Sequence, residues 1–256
     1  MSKIYKAFEN KKAFIGFLTA GDPSADKSVE YILEMERAGA DLIEMGIPFS
    51  DPTAEGVVIQ DANIRALSGG MTTDGVFEIV KRVRKKSNIP LVFLTYINPV
   101  YKYGYENFFE ECREVGIDGI IVPDVPFEEK HEIEDVANKY GVDIISLIAP
   151  TSEDRIKKIA KEAKGFVYVV SSMGVTGVRN EIKTDINSII KSIKEVTNVP
   201  CAVGFGINNP KQAREISEVA DGVIVGSAIV KIIEKNGENA KEELFKYVSE
   251  MKHAIE

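Results

Sequence analysis

The chain has 256 residues, 44% hydrophobic and 28% charged, with a formal net charge of -8. That length buries a sizeable core, and the acidic balance sets nucleic-acid binding behind other classes, since such binders carry a basic face. Phosphorylated small molecules stay open, because backbone N–H groups hold a phosphate without net positive charge.

Taken in order, eight short apolar runs are predicted as strands: Ala13–Thr19, Asp41–Met45, Leu91–Tyr96, Gly119–Val122, Asp143–Leu147, Phe166–Val170, Cys201–Gly204 and Gly222–Val225. Between them lie amphipathic, charged stretches predicted as helices: Ser24–Arg37, Thr73–Lys85, Tyr105–Val115, Phe127–Tyr140, Ser152–Ala163, Asp185–Val196 and Pro210–Val219, with a last one over Asn239–Ala254. Asp22-Pro23-Ser24 and Thr151-Ser152-Glu153 supply caps. Strands alternating with helices imply a parallel sheet with crossovers.

Two internal repeats narrow the topology. A Gly or apolar residue, one residue, then Asp and an apolar run recurs at Gly39-Ala40-Asp41, Gly116-Ile117-Asp118, Gly141-Val142-Asp143 and Val219-Ala220-Asp221. Asn-x-Pro opens the third and seventh predicted strands, at Pro90 and Pro200, where proline costs no ladder donor. Matching strands four apart imply two related halves. The expected fold class is therefore α/β, a closed (β/α)8 TIM barrel spanning residues 1–256 as a single domain.

Few residues could hold a metal. Cys112 and Cys201, with His131 and His253, stand in no metal or redox spacing, so no metal site is expected. Met1-Ser2-Lys3-Ile4-Tyr5-Lys6 has no apolar signal core, and no run is long enough for a bilayer. A cytoplasmic location is the expectation.

Sites in this fold sit at the C-terminal ends of the strands. Along Asp41–Met45, Leu42 and Glu44 face one way and Ile43 and Met45 the other. Both faces of a barrel strand are normally buried, so Glu44 is out of place unless it pairs or works. Burial would raise its pKa toward the range useful for general acid–base chemistry. A structural ion pair at the strand mouth is the alternative. Pro48, Asp51, Pro52 and Gly56 shape the loop that follows, and Glu55 is a second carboxylate on it. Paired carboxyls can divide acid and base roles, though a lone Glu55 would simply be solvated.

Glycines cluster in the last three β–α loops: Gly174 and Gly177, then Gly204 and Gly206, then Gly226 with Ser227. Ser227 would open a short extra helix, Ala228–Glu234, whose free N–H groups suit an anion. Loops seven and eight plus such a helix often form the phosphate site of these barrels. Phe17, Ile59, Leu94, Tyr96, Ile121, Tyr168 and Phe205 lie near strand ends and could line an apolar pocket or simply pack the core.

Several segments resemble the tryptophan synthase alpha chain family. They are Leu42–Pro52, with Glu44, Met45, Gly46, Ile47, Pro48, Phe49, Ser50 and Asp51; Gly16–Pro23; Val122–Pro126; Gly174–Gly177; Gly204–Ile207; and Gly226–Val230. The resemblance runs the whole chain in order. It implies retro-aldol cleavage of indole-3-glycerol phosphate to indole and glyceraldehyde 3-phosphate, with Glu44 as the general acid–base and Glu55 stabilising charge at the indole nitrogen. It implies that Phe17, Leu94, Ile121 and Tyr168 form the indole wall and that Thr176 belongs to a closing loop. It assigns Gly177, Gly206, Gly226 and Ser227 to the phosphate.

The resemblance also implies an alpha2beta2 complex. Asp51, Asn98 and Pro99 would face the beta subunit, which receives indole, and pyridoxal phosphate is expected only in that partner, with no cofactor in this chain. Glu55 stands where Asp is more usual in the family, and Val57 where proline is. Alternatives are a free-standing lyase, a ligand-binding activator of the beta subunit without catalysis, or another phosphate-binding barrel.

Overall fold

The elements follow one another as α1 (Lys3–Lys6), β1 (Ala13–Thr19), α2 (Ala25–Arg37), β2 (Leu42–Gly46), α3 (Val57–Ser68), α4 (Thr73–Arg84), β3 (Leu91–Leu94), α5 (Ile97–Tyr103), α6 (Tyr105–Val115), β4 (Gly119–Ile121), α7 (His131–Tyr140), β5 (Asp143–Ile144), β6 (Ser146–Ile148), α8 (Glu153–Lys161), β7 (Val167–Val170), α9 (Arg179–Lys194), β8 (Cys201–Gly204), α10 (Pro210–Ser217), β9 (Gly222–Val225), α11 (Ser227–Asn236) and α12 (Lys241–Ile255). This computed structural model describes residues 3–170, 179–204 and 206–256, with 179–185 described by backbone alone.

All strand pairings are parallel, in the order β5-β4-β3-β2-β1-β9-β8-β7-β6. The sequence predicts eight strands and nine are found among the described residues. The fifth predicted strand divides at Ile145: β5 pairs with β4, and β6 pairs with β7. The Ile145 N–H still reaches Ile120 O at 2.9 Å, after which the strand changes neighbour. Strands in a barrel are tilted and staggered, so one strand meets its two neighbours at different heights. The two halves of this strand thus bring the ends of the sheet together into a nearly closed TIM barrel.

Alternation along each strand separates two layers of core. Ile15, Leu42, Val92, Ile121, Ile145, Tyr168, Ala202 and Ile224 pack together inside the barrel. Phe14, Ile43, Met45, Phe93 and Ile120 pack outward against the helices. Phe77 on α4 and Phe108 on α6 meet Phe93 there, with ring centroids 5.7 and 6.3 Å away.

The aspartate repeat has a mechanical role at the N-terminal ends of the strands. Asp41 Oδ2 accepts the Phe14 N–H at 2.8 Å, Asp118 Oδ2 accepts that of Leu91 at 3.0 Å, and Asp221 Oδ2 accepts that of Cys201 at 2.8 Å. Each clamps the start of a neighbouring strand, and each is neutralised. Lys252 and Lys11 reach Asp41 at 2.9 and 2.5 Å, Arg84 reaches Asp118 at 3.0 Å, and Lys194 reaches Asp221 at 2.6 Å. Asp143, the remaining repeat, differs: its buried Oδ2 has no hydrogen-bond partner among the described residues. Gly116 and Gly141 end α6 and α7 in the left-handed conformation, with φ of 82° and 73°, as a helix C-cap glycine should.

Three helices were not expected: the single turn α1, and α3 and α5. In α5, Pro99 stands third, within the first turn, where its missing N–H would have no intrahelical partner anyway. In α3, Val57 and Ile64 are 70% and 59% exposed, so the apolar residues form no single stripe.

The clamps predict a contrast. Asp41→Asn strips the buried Lys252 ammonium of its counter-charge and should lower stability in urea unfolding by about 2–4 kcal/mol. Asp143→Asn removes a carboxylate with no such partner and should shift stability by less than about 0.5 kcal/mol, or raise it. Equal losses at the two positions would remove the clamp explanation.

Candidate active site

Glu44 enters the barrel because β2 alternates. Leu42 and Glu44 point inward, and the register sets Glu44 beside Phe17 of β1 and Val92 of β3. Its side chain is 2% exposed, and Oε2 has no hydrogen-bond partner among the described residues. Thr19, Thr95 and Asp143 also hold a buried oxygen without a partner among the described residues, but of these four residues Glu44 is the one that lines the cavity described next. Burial, with a smaller contribution from the charge of Glu55, pushes the Glu44 carboxyl up to about 8. An acid of that strength holds its proton at neutral pH and can still release it.

The cavity it lines has a volume of about 420 Å³ and opens at the C-terminal ends of the strands. Phe17, Ile59, Leu94, Tyr168, Ile207 and Ile224 give it an apolar wall. Ala54, Glu55 and Gly56 come from the loop after β2, and Gly206 and Asn208 from the loop after β8. Gly226, Ser227, Ala228 and Lys231 come from the loop after β9 and from α11. Two glycines make the wall fit. A Cβ at Gly46 would stand 2.9 Å from the Phe17 ring, and one at Gly204 would overlap the Tyr168 hydroxyl. Tyr168 is itself held well above its usual pKa, by burial first and then by Glu44.

Glu55 is fixed from α3. Asn63, 3% exposed, donates from Nδ2 to Glu55 Oε2 at 2.7 Å, and Gln60 donates from Nε2 to the Glu55 carbonyl at 2.7 Å. Burial raises the Glu55 pKa, while Asn63 and the Tyr96 hydroxyl oppose the rise. Glu44 thus favours its neutral form, and Glu55 is the carboxyl with donors for its charge. Tyr96 also accepts the Ala54 N–H at 3.1 Å and stacks on Phe49 at 5.4 Å, tying the loop after β2 to the start of α5. Burial pushes the Tyr96 hydroxyl up to about 12.

The last part is α11. It opens at Ser227 after Gly226, one residue before its predicted start, and no side chain caps it. Its first intrahelical bond runs from Val230 N to Gly226 O at 3.1 Å. The N–H groups of the preceding turn therefore point out of the helix at the cavity, as an anion site requires.

Of the residues expected from sequence, Phe17, Glu44, Glu55, Ile59, Leu94, Tyr168, Gly206, Gly226 and Ser227 line this one cavity. Ile121 faces the barrel interior but does not line it. Thr176, Gly177 and Phe205 lie outside the described residues. Asp51 and Asn98 are exposed and Pro99 half-buried, on the two segments that Tyr96 joins. Asn63 and Lys231 were missed. Asn63 sits in a helix the sequence did not reveal, and Lys231 lies beyond the first turn of α11.

A second cavity, about 350 Å³, lies between α7, α8 and the split strand, lined by Val122, Pro126, Ile133 and Leu147 with Lys130 and Arg155. Both cations are engaged, Lys130 by Glu162 at 2.8 Å and Arg155 by Glu128 at 2.8 Å. None of the buried oxygens without a partner lines it, so the Glu44 cavity is the candidate site. Among the described residues, no group of three or more His, Cys, Asp or Glu is arranged to hold a metal ion, and no helix is long and apolar enough to cross a membrane.

Comparison with known proteins agrees with this geometry. The family profile described as tryptophan synthase alpha chain matches residues 5–256. The tryptophan synthase alpha chain of Lacticaseibacillus casei is 47% identical over 256 residues, covering 100% of this chain and 96% of the relative. That of Thermoanaerobacter sp. (strain X514) is 46% identical over 262 residues, covering 100% of both. Among solved structures, tryptophan synthase subunit alpha from Legionella pneumophila str. Paris superposes with a TM-score of 0.91 at 35% identity, covering 100% of this chain and 98% of that one. A chain of the tryptophan synthase a2b2 complex from Pyrococcus furiosus does so with a TM-score of 0.87 at 40% identity, covering 94% and 98%. On full-length similarity at this level, the chain belongs to the tryptophan synthase alpha chain family.

Proposed function

We propose that the chain, acting as one domain in the cytoplasm, cleaves indole-3-glycerol phosphate to indole and glyceraldehyde 3-phosphate and passes indole to a beta subunit in an alpha2beta2 complex. One observation carries the reading: an unpartnered, buried Glu44 carboxyl faces an apolar cavity that also holds Glu55 and the N-terminus of α11. The indole ring fits the wall of Phe17, Leu94 and Tyr168, and the phosphate fits Gly206, Gly226 and Ser227.

The residues then divide the work. Neutral Glu44 donates its proton to the ring carbon that bears the glycerol phosphate chain, which places positive charge on the ring nitrogen. Glu55, held by Asn63, stabilises that charge. The carboxylate left on Glu44 assists loss of the proton from the side-chain hydroxyl nearest the ring. The carbon–carbon bond breaks as the hydroxyl carbon becomes the aldehyde, and its electron pair returns to the ring to give neutral indole. Apolar walls keep water from competing for the proton. Thr176, Gly177 and Phe205 would complete the phosphate and loop contacts, and Ile121 the packing beneath the indole. Asp51, Asn98 and Pro99 would meet the beta subunit, to which pyridoxal phosphate belongs in this reading. No step in this chain is routed through it.

Release of indole and triose phosphate, measured with and without a beta subunit, tests the proposal. Slow cleavage that rises strongly with the partner is expected. Fast cleavage by the chain alone would mean a free-standing lyase, and no cleavage in either condition would sink the assignment. Glu44→Gln keeps the shape and removes the acid. It should lower kcat by about 10²–10⁴-fold while substrate binding persists. Undiminished turnover would exclude Glu44 as the acid.

Protonation of Glu44 also sets a pH dependence. Unfolded, this carboxyl ionises near its ordinary 4.5; folded, it keeps its proton up to about 8. Between these values the unfolded chain binds fewer protons, so stability falls as pH rises. Glu44→Gln lacks this loss. Its unfolding midpoint should exceed the parent's at pH 8, with the gap closing toward pH 4.5. On the alkaline side, kcat/KM of the parent should decline as pH passes about 8 and the acid is lost. A mutant midpoint that tracks the parent's at every pH would show that Glu44 is not held neutral.

A further inference from the structure

Among the described residues that line it, the cavity contains two carboxyls and one cation, Lys231. In a chain of net charge -8, a phosphate dianion entering a cavity that also holds the Glu55 carboxylate meets unfavourable charge unless a local cation offsets it. Backbone N–H groups supply donors at the end of α11 but only a fraction of a charge.

Lys231 is placed to supply the remainder. It follows Ser227 by four residues, so both lie on one face of α11. Side chains on a helix lean toward its N-terminus, which carries the long lysine stem toward the Ser227 end and the cavity it lines. The acid that could hold it back is occupied: Glu234, three residues on, is engaged by Arg65 at 3.3 Å, and Arg65 is itself anchored on buried Asp22 at 2.8 Å. Among the described residues, the Lys231 side chain has no hydrogen bond or ion pair. The unpartnered Glu44 carboxyl independently marks the same cavity as a place where a ligand completes the polar contacts.

We propose that Lys231 is the charge contact for the substrate phosphate, its ammonium folding over the group seated at the N-terminus of α11 and setting the preference for a phosphorylated side chain. The proposal rests on the phosphorylated-substrate reading above and adds a residue to it. Lysine is suited to this role as a compact charge on a flexible stem, able to follow the phosphate in and out.

The test compares Lys231→Gln and Lys231→Arg with the parent, each as the full chain with its beta subunit. Steady-state kinetics use indole-3-glycerol phosphate, and calorimetry uses inorganic phosphate. Lys231→Gln should raise both KM and the phosphate Kd by about five- to twentyfold, with a much smaller change in kcat. Lys231→Arg should recover most of the loss. The fall of kcat/KM with added salt should flatten in Lys231→Gln, because a screened charge contact has been removed. An unchanged phosphate Kd and KM in Lys231→Gln would overturn the proposal, as would a fall in kcat at constant KM. If the parent binds phosphate through Lys231 yet cleaves no substrate, the lyase reading fails while this assignment stands.

Discussion

An acid without a partner inside an apolar barrel is the constraint around which this molecule is organised. A strand that alternates faces leaves Glu44 no choice once Leu42 is packed against Ile15, Val92 and Ile121. Moving the register by one residue would bury the acid among the helices and turn Met45 inward. The carboxyl therefore stays neutral, since ionising it there would leave an uncompensated charge in a medium that solvates it poorly. A group so placed destabilises the fold above its ordinary pKa. Such a cost is typical of positions that serve a reaction rather than the fold.

A barrel can carry that cost because its two ends are specialised. At the N-terminal end, Asp41, Asp118 and Asp221 tie strand to strand through backbone N–H groups, and lysines or arginine neutralise them. At the other end the carboxyls are left for chemistry, one without a partner and one with donors from neutral side chains. The same functional group is thus a fastener at one end and, in the proposed reaction, a reagent at the other, and the difference lies in what stands beside it. Asp143 shows the dependence from the opposite side. It belongs to the strand that changes neighbour at Ile145, and it alone among the four repeats has a buried oxygen without a partner.

What the sequence revealed followed from short-range pattern. The eight apolar runs, the inward face of Leu42 and Glu44, and the glycines of the last loops are local features, and the described ones fell where strand alternation and barrel topology put them. What it concealed depended on long-range packing. Helix α3 exposes Val57 and Ile64, so its apolar residues gave no helical stripe, and Asn63 went unseen with it. The contact of Tyr96 with Ala54 joins residues 42 apart, which no spacing rule anticipates. Ile121, expected at the pocket wall, packs in the barrel interior, and whether an interior residue reaches the cavity depends on its height in the barrel, which alternation does not give.

The departures at Glu55 and Val57 acquire a physical account from the same helix. A longer carboxylate needs a reason to stop in one place, and Asn63 gives it one from a buried position two turns into α3. A missing proline leaves the backbone freer before the helix, yet Ile59 N and Gln60 N both bond to Gly56 O, at 3.0 and 3.1 Å, and the Gln60 side chain holds the carbonyl just before it. The order lost from the loop's own chemistry is thereby returned by the helix it leads into. Helix α3 is in turn braced through Arg65 to Asp22 and to Glu234 of α11. The element that sets Glu55 and the element whose N-terminus faces the cavity are thus joined by one guanidinium, two turns away from the chemistry. Placement of the second carboxyl and of the proposed anion site is therefore one mechanical problem in this protein, solved behind the cavity rather than in it.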